Sequence, residues 1–92
     1  MRHIHAIVNG RVQGVGFRYF TQATAAEYQI VGWVKNLSNG SVEIKAKGDV
    51  GNMERFLQKI RQGPSMFAKV SSIDIEELPL EDHDYQRFEI KY

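Results

Sequence analysis

The 92-residue sequence contains no cysteine, which excludes several kinds of chemistry at once. Disulfide bonds, thiolate metal sites, iron–sulfur clusters and cysteine nucleophiles all depend on that side chain. The sequence also lacks an excess of either charge, because 12 Lys and Arg residues are balanced by 11 Asp and Glu residues. A net charge of +1 gives no field of the strength that attracts nucleic acid or an anionic membrane, so we expect neither partner.

Long apolar runs are missing as well. No segment approaches the ~20 apolar residues of a membrane-spanning helix. The apolar stretch near the N-terminus is interrupted by Asn9, Gly10 and Arg11, which is not the pattern of a secretory signal. We therefore expect a cytoplasmic protein, and the length predicts one domain over residues 1–92.

The apolar periodicity predicts strands and helices in the order β-α-β-β-α-β, followed by a short C-terminal strand. Two βαβ halves joined by a hairpin are typical of the α+β ferredoxin-like fold, a split βαβ sandwich. We expect one antiparallel sheet with both helices on one face. Strand patterns occupy residues 4–8, 30–36, 41–47, 70–75 and 88–92, and helical patterns occupy residues 17–28 and the segment after Asp49.

Several finer features follow from local patterns. Asn39-Gly40 lies between two strand patterns and predicts a hairpin with a type I′ turn, while the Ser71-Ser72 pair predicts a bulge. We expect Asp49 to cap the second helix and Gly63 to end it. One apolar stripe of that helix should be buried, and it consists of Met53, Phe56, Leu57 and Ile60.

We predict structural rather than functional roles for several other aromatic and polar residues. Trp33 is expected in the core. His3 and His5 share a strand face but have no third ligand nearby in the sequence, so we expect them to be solvent-facing or lightly packed. The acidic segment 81–84 lacks the ligand spacing of a calcium site, and it predicts a solvated loop.

A glycine-rich segment, Gln13-Gly14-Val15-Gly16-Phe17-Arg18, separates the first strand pattern from the first helix pattern. Glycines let successive backbone N–H groups converge on an anion at a helix N-terminus, where the helix dipole favours negative charge. Arg18 can add a bidentate contact to phosphate or carboxylate oxygens. The alternative is a tight turn that carries a surface arginine.

Three other glycine motifs do not fit this segment. A dinucleotide-binding fingerprint would need glycine in place of Tyr19, and a Walker loop would need Gly-Lys followed by Ser or Thr. The RNA-recognition signature would need an aromatic residue in place of Val15, and it lies on a sheet strand. Nucleotides and RNA are therefore not the ligands that the loop predicts.

With its flanking residues, the segment resembles the acylphosphatase family. The resemblance implies a ferredoxin-like fold and hydrolysis of the carboxyl–phosphate bond of a small acyl phosphate. Two departures concern the hairpin tip, where Ser38-Asn39-Gly40 replaces an Asp-Gly-type turn, and Gln29, which stands where a glycine often ends the first helix. The segments that carry the resemblance are residues 10–18, 32–36 and 39–43, with Gly63-Pro64 and Ala68-Lys69-Val70 further on.

The resemblance also implies roles for individual residues. Arg18 would bind the phosphoryl group, and Asn36 would orient the attacking water. We also expect Tyr19 and Lys35 at the edge of the pocket. Backbone amides would form the phosphate cradle, contributed by Val12, Gln13, Gly14, Val15, Gly16, Phe17 and Arg18.

We expect no cofactor and no metal. An acyl phosphate releases a carboxylate that needs no general acid, and phosphoryl transfer depends mainly on positioning and on stabilised oxygens. Inorganic phosphate would be both product and competitive ligand of a monomeric enzyme. Two alternatives stay open: a non-catalytic anion-sensing or regulatory module on the same fold, and an RNA-binding module, which the near-neutral charge disfavours.

Overall fold

A computed structural model describes residues 1–81 and 85–92. The order of its elements confirms the predicted β-α-β-β-α-β arrangement with a short C-terminal strand. Asp82, His83 and Asp84 lie outside the described residues, so the solvated loop expected there stays a prediction. Neither described helix is long and apolar enough to cross a membrane. The elements are β1 (Arg2–Arg11), α1 (Phe17–Glu27), β2 (Val31–Asn36), β3 (Val42–Gly48), α2 (Val50–Gln62), β4 (Lys69–Glu77) and β5 (Phe88–Lys91).

The five strands form one sheet in the order β4-β1-β3-β2-β5. The first three neighbouring pairs are antiparallel, but β5 pairs in parallel with β2, so that Val34 lies opposite Ile90. The expectation of a wholly antiparallel sheet is therefore wrong at this edge. The reason is topological: β5 runs opposite to β4 but lies on the far edge, beside a strand that already runs in its own direction.

The core lies between the sheet and the two helices. Strand residues alternate, and in β1 and β3 those that point toward the helices are fully buried, including Ile4, Ala6, Val8, Ile44 and Ala46. The predicted stripe of α2 completes this core, because all four of its apolar side chains are buried. Asp49 caps this helix through Oδ2, which accepts hydrogen bonds from the N–H groups of Gly51 and Asn52 at 3.0 and 3.2 Å.

Trp33 is not a core residue. Its neighbours Gly32 and Val34 are buried beneath the helices, so the alternation of the strand places Trp33 on the opposite face of the sheet. There it is partly exposed, and the Lys91 Nζ lies 4.7 Å from its ring centroid. The expectation of a core tryptophan is wrong because the apolar pattern of β2 is compatible with either face.

His3 is buried rather than solvent-facing, with 1% of its surface exposed. Its Nδ1 lies 2.8 Å from the carbonyl oxygen of Pro79, and its Nε2 lies 2.8 Å from the hydroxyl of Tyr85. Both partners belong to the connection from β4 to β5, which covers the strand face at this end. His5 lies two residues further along β1 and is partly buried, and its Nε2 lies 2.8 Å from Glu43 Oε2.

The β2–β3 hairpin and the β4 bulge both form. The hairpin turn is not type I′, because Gly40 (φ +96°) is the one turn residue with positive φ. The N–H of Gly40 donates to the Leu37 carbonyl, and the Asn39 side chain accepts the N–H of Ser41, so Asn39 closes the turn through its side chain. In β4 the pairing register with β1 skips Ser71, which confirms the predicted bulge.

Candidate active site

The loop between β1 and α1 has an unusual backbone. Gly14 and Gly16 both have φ +76°, a conformation that other residues rarely adopt. A Cβ atom at either position would meet no other atom within 4 Å. Glycine is therefore needed here for its backbone angles, and the space above the loop is open to a small ligand.

The loop ends in a helix N-terminus that no side chain caps. Gly16 is the N-cap residue, no acidic residue lies in the first turn, and the first intrahelical bond runs from the N–H of Phe20 to the Gly16 carbonyl at 3.0 Å. None of the N–H groups from Gly14 to Tyr19 donates to an acceptor in the described part of the chain. These donors, together with the positive end of the helix dipole, form the environment that binds an anion.

A cavity of about 200 Å³ lies over this N-terminus. It brings Arg18 and Asn36 together, as the sequence predicts, and Tyr19 lies at its edge as expected. The volume suffices for about six water-sized groups, the size of a phosphoryl group with one attacking water. The residues that line it are Val12, Gly14, Gly16, Phe17, Arg18, Tyr19 and Asn36.

Gln13 and Val15, which are expected to contribute backbone amides, and Lys35, which is expected at the pocket edge, are not among the residues that line this cavity. The Val15 side chain packs against the core, and Lys35 lies on the strand face opposite to that of Asn36. Gln13 is directed toward the β2–β3 hairpin instead. The expectation of Lys35 at the pocket edge is therefore wrong, because strand alternation separates it from its neighbour Asn36.

Arg18 is held by the C-terminal end of the chain. Its Nη1 donates to the carbonyl of Lys91 at 3.3 Å, and the guanidinium carbon lies 4.7 Å from the ring centroid of Tyr92. A guanidinium has five N–H donors, so these contacts orient the group and leave donors for a bound anion. A hydrogen bond with Tyr19 raises the pKa of the Tyr92 hydroxyl, while the Arg18 cation acts in the opposite direction.

Asn36 lies at the last position of β2, opposite Val42 in β3. Its side chain is partly buried and forms no hydrogen bond with the described residues. The carboxamide is therefore available to hold water or a ligand at the cavity wall. An amide donates and accepts hydrogen bonds but does not act as a base at neutral pH.

The side chain of Gln13 connects the two parts of the site, which its sequence position did not reveal. Its Nε2 donates to the carbonyl oxygens of Leu37 and Ser41 at 2.7 and 2.8 Å. The Ser41 hydroxyl in turn donates to Asn9 Oδ1 at 2.6 Å. The loop is thereby tied to the hairpin that follows Asn36. A partly buried amide must find acceptors for its N–H groups, and this requirement is the one signal that could have indicated the role of Gln13.

Metal-ligating side chains do not gather in groups of three or more anywhere in residues 1–81 and 85–92. His3 and His5, the two histidines that share a strand face, contact different partners. The positive charge that the described cavity offers comes from Arg18 and from backbone N–H groups.

The chain is similar to known proteins along its whole length. The family model described as Acylphosphatase matches residues 4–90. An acylphosphatase from Oceanobacillus iheyensis is 51% identical over 92 residues, which is all of both chains. One from Clostridium beijerinckii is 53% identical over 87 residues, covering 95% of this chain and 94% of the relative.

The fold comparison agrees with the sequence comparison. The crystal structure of an acylphosphatase from Bacillus subtilis superposes with a TM-score of 0.92 at 44% identity, and the match covers 100% of both chains. Family model, relatives and structure all extend over both the glycine loop and the end of β2. The chain belongs to the acylphosphatase family.

Proposed function

We propose that this member of the family hydrolyses acyl phosphates to a carboxylate and inorganic phosphate without a metal ion, by in-line attack of a water on the phosphoryl group. The assignment of acyl phosphate hydrolysis rests on relatives named acylphosphatase, which are about 50% identical to this chain over its length. One observation carries the mechanism: Arg18 and Asn36 line the same small cavity over an uncapped helix N-terminus. Residues 1–92 would form one catalytic domain.

The phosphoryl group binds in the loop. Backbone N–H groups of residues 12–18 surround its non-bridging oxygens, and the helix dipole adds favourable potential. Arg18 supplies the full positive charge and a fork that matches two oxygens. Since the glycine backbone holds these donors in place before the substrate arrives, little reorganisation accompanies the reaction. Removing one such donor from a comparable oxyanion site costs about 2.7–4 kcal/mol.

Asn36 positions the water. Its carboxamide oxygen accepts a hydrogen bond from the water, whose oxygen then faces phosphorus on the side away from the acyl group. The new O–P bond forms as the carboxyl O–P bond breaks, and the bond electrons leave with the carboxylate. The carboxylate is a weak base and needs no proton from the protein. The proton of the attacking water passes to a phosphoryl oxygen or to solvent.

The same site makes inorganic phosphate a competitive ligand, since the product keeps the oxygens that the loop recognises. We further propose that the protein is monomeric and cytoplasmic. Its near-neutral charge provides no general attraction for nucleic acid or an anionic membrane. The charge needed for the reaction is local, at Arg18 and the loop amides.

The test is hydrolysis of acetyl phosphate in excess EDTA by the wild type and by Arg18→Ala. We expect the wild type to be active and kcat/KM of the variant to fall about 10²–10³-fold. Arg61→Ala is the matched control, because Arg61 is exposed on α2 and outside the cavity, and it should retain full activity. Circular dichroism checks that each variant folds.

Three results would contradict the proposal. Activity that EDTA abolishes would reject the metal-independent mechanism, and an Arg18→Ala variant of normal activity would reject the assigned cradle. Binding of phosphate to the wild type without turnover would instead indicate the anion-sensing module.

A further inference from the structure

A second and larger cavity shares one lining residue with the candidate active site. It has a volume of about 800 Å³ and lies between α1 and the start of β5. Tyr19 lines both this groove and the smaller cavity that holds Arg18 and Asn36. A molecule bound over the helix N-terminus can therefore extend past Tyr19 into the groove.

One stripe of α1 forms the floor of the groove. Tyr19, Ala23 and Ala26 recur at intervals of four and three residues, and Gln29 follows at the end of the helix. This stripe is about 15 Å long at the rise of an α-helix. The alanines are too small to fill the space above them, and Phe88 of β5 adds an aromatic wall.

The charge of the groove restricts what it can bind. Arg87 is its one ionisable group besides Tyr19 in the described lining, and the Arg87 Nε already contacts Glu89 Oε1 at 3.2 Å. A cationic occupant would find no acidic group in the described lining, and an anionic one would find only this exposed cation at the rim. The lining suits an uncharged hydrocarbon, which gains by leaving water.

We infer that the groove binds the acyl group of the substrate and that the protein prefers acyl phosphates with apolar chains. This inference rests on the proposed function. The smaller cavity accommodates a phosphoryl group and a water but no acyl chain beyond a short one. In-line attack from Asn36 requires the acyl group to leave on the opposite side of phosphorus, and the groove begins at Tyr19 and does not include Asn36.

Tyr19 is placed to guide the chain. Its side chain is 66% exposed at the junction of the two cavities, where an apolar chain can cover the ring. Tyr19 raises the pKa of the Tyr92 hydroxyl, and the Tyr92 ring lies 4.7 Å from the Arg18 guanidinium. The two rings thus connect the anion site with the apolar groove.

The experiment compares acetyl phosphate with octanoyl phosphate below its micelle concentration. For the wild type we expect KM for octanoyl phosphate to be at least about tenfold lower, since each methylene that leaves water contributes up to about fourfold. Ala26→Glu places a charge on an exposed position of the groove floor. This variant should raise KM for octanoyl phosphate about tenfold and leave KM for acetyl phosphate within about twofold.

Matched variants separate charge from position. Gln58→Glu adds the same charge on an exposed position of α2, outside the groove, and should change neither KM. Ala26→Gln adds the same bulk without charge and should have an intermediate effect on octanoyl phosphate alone. Equal KM values for the two substrates in the wild type would overturn the inference. So would an equal response of both substrates to Ala26→Glu.

A binding measurement keeps this test independent of turnover. Calorimetry should show octylphosphonate binding at least about tenfold more tightly than methylphosphonate to the wild type, and the difference should disappear in Ala26→Glu. If no acyl phosphate is hydrolysed but this difference is observed, the proposed function fails and the apolar subsite stands. If acetyl phosphate is hydrolysed and chain length has no effect on binding, the subsite fails alone.

Discussion

The two helices pack on the same sheet but are built differently at both ends. Helix α2 begins with a side-chain cap from Asp49, has basic residues in its last turn and ends at Gly63 with φ +77°. Helix α1 begins at Gly16 without a cap and has no basic residue in its last turn. The uncapped N-terminus would be a defect in an ordinary helix, but here it leaves N–H groups facing the cavity. The N-terminus of α1 is therefore locally less stable than that of α2, and a bound ligand can supply the hydrogen bonds that a cap would make.

The C-terminal end of α1 shows a second difference. Gln29 has φ +57°, in the left-handed region, and is the one non-glycine residue with positive φ in residues 1–81 and 85–92. The N–H of Ile30 donates to the Ala25 carbonyl at 2.8 Å, and the N–H of Gln29 lies 3.4 Å from the Ala26 carbonyl. This is the hydrogen-bond pattern that a glycine normally completes. The replacement of that glycine keeps the cap and adds backbone strain.

The largest expected effect lies in the first half. Asn36→Ala should lower kcat for acetyl phosphate about 10²-fold, because the water would lose its in-line position. The inhibition constant of inorganic phosphate should change little, since the loop and Arg18 remain. Asn52→Ala, which removes the same amide from α2, should leave kcat unchanged. A loss of phosphate binding with kcat preserved would reassign Asn36 to ligand binding.

The next effect concerns the capped helix. Asp49→Ala should lower the free energy of unfolding by about 1 kcal/mol, because two N–H groups of the first turn lose their acceptor. Acetyl phosphate hydrolysis should stay at the wild-type level. Urea denaturation and a rate assay measure the two quantities. If the fully folded variant hydrolyses acetyl phosphate more slowly than the wild type, the cap of α2 affects the active site, and the two halves of the molecule are not independent.

A smaller gain is expected at the other end of α1. Gln29→Gly should raise the free energy of unfolding by about 0.5–1 kcal/mol, since glycine adopts positive φ without the steric cost. The mirror variant Gly63→Gln places a side chain at φ +77° and ψ 171°, a region essentially restricted to glycine, and should destabilise the protein by about 1–3 kcal/mol. Thermal and urea unfolding of both variants test the difference between the helix ends. If both variants were more stable than the wild type, or both less stable, this difference between the helix ends would be contradicted.

The smallest effect is a pH dependence at the β1–β4 edge, where Arg2 contacts both Glu77 and Glu54 of α2. A bidentate hydrogen bond from Arg2 lowers the pKa of Glu77. Its stabilisation is therefore present above the unfolded pKa of about 4.3 and is lost as pH falls toward the lower folded value. Because Glu77 is 58% exposed, we expect only about 0.5 kcal/mol.

Urea unfolding at neutral and acidic pH tests this contribution. The difference in unfolding free energy between wild type and Glu77→Gln should be present at neutral pH and shrink below about pH 4. Glu76→Gln is the matched control, because the neighbouring Glu76 is exposed and has no ion pair among the described residues. A constant difference at all pH values would rule out the ion pair as its cause.

Much of the fold was predictable because its signals are local. The strict alternation of β3 and the stripe and caps of α2 identify these elements without knowledge of their neighbours. The hairpin at Asn39-Gly40 was predictable, but its turn type was not, because the Asn39 side chain takes over a hydrogen bond of the turn. The burial of His3 was also hidden, since it depends on a connection more than seventy residues away in the chain.

The candidate site divides in the same way. The glycine pattern and Arg18 identified an anion-binding loop because positive φ and an uncapped helix start are properties of a few adjacent residues. Asn36 was singled out only through the resemblance to a family, since one asparagine near a hairpin is usually a turn residue. The connection through Gln13 could not be read from the pattern, because its partners Leu37 and Ser41 are brought close by the sheet.

The sequence by itself determined the order of the elements, the capped second helix and the chemistry of the glycine loop, because each depends on side-chain periodicity or backbone angles over a few residues. Only the tertiary structure decided that the end of β2 lies beside that loop, that β5 runs parallel to β2, and that Tyr19 also lines an apolar groove. Those features depend on which strands become neighbours. Strand order is set by contacts between segments that are far apart in the chain, and no short segment contains that information.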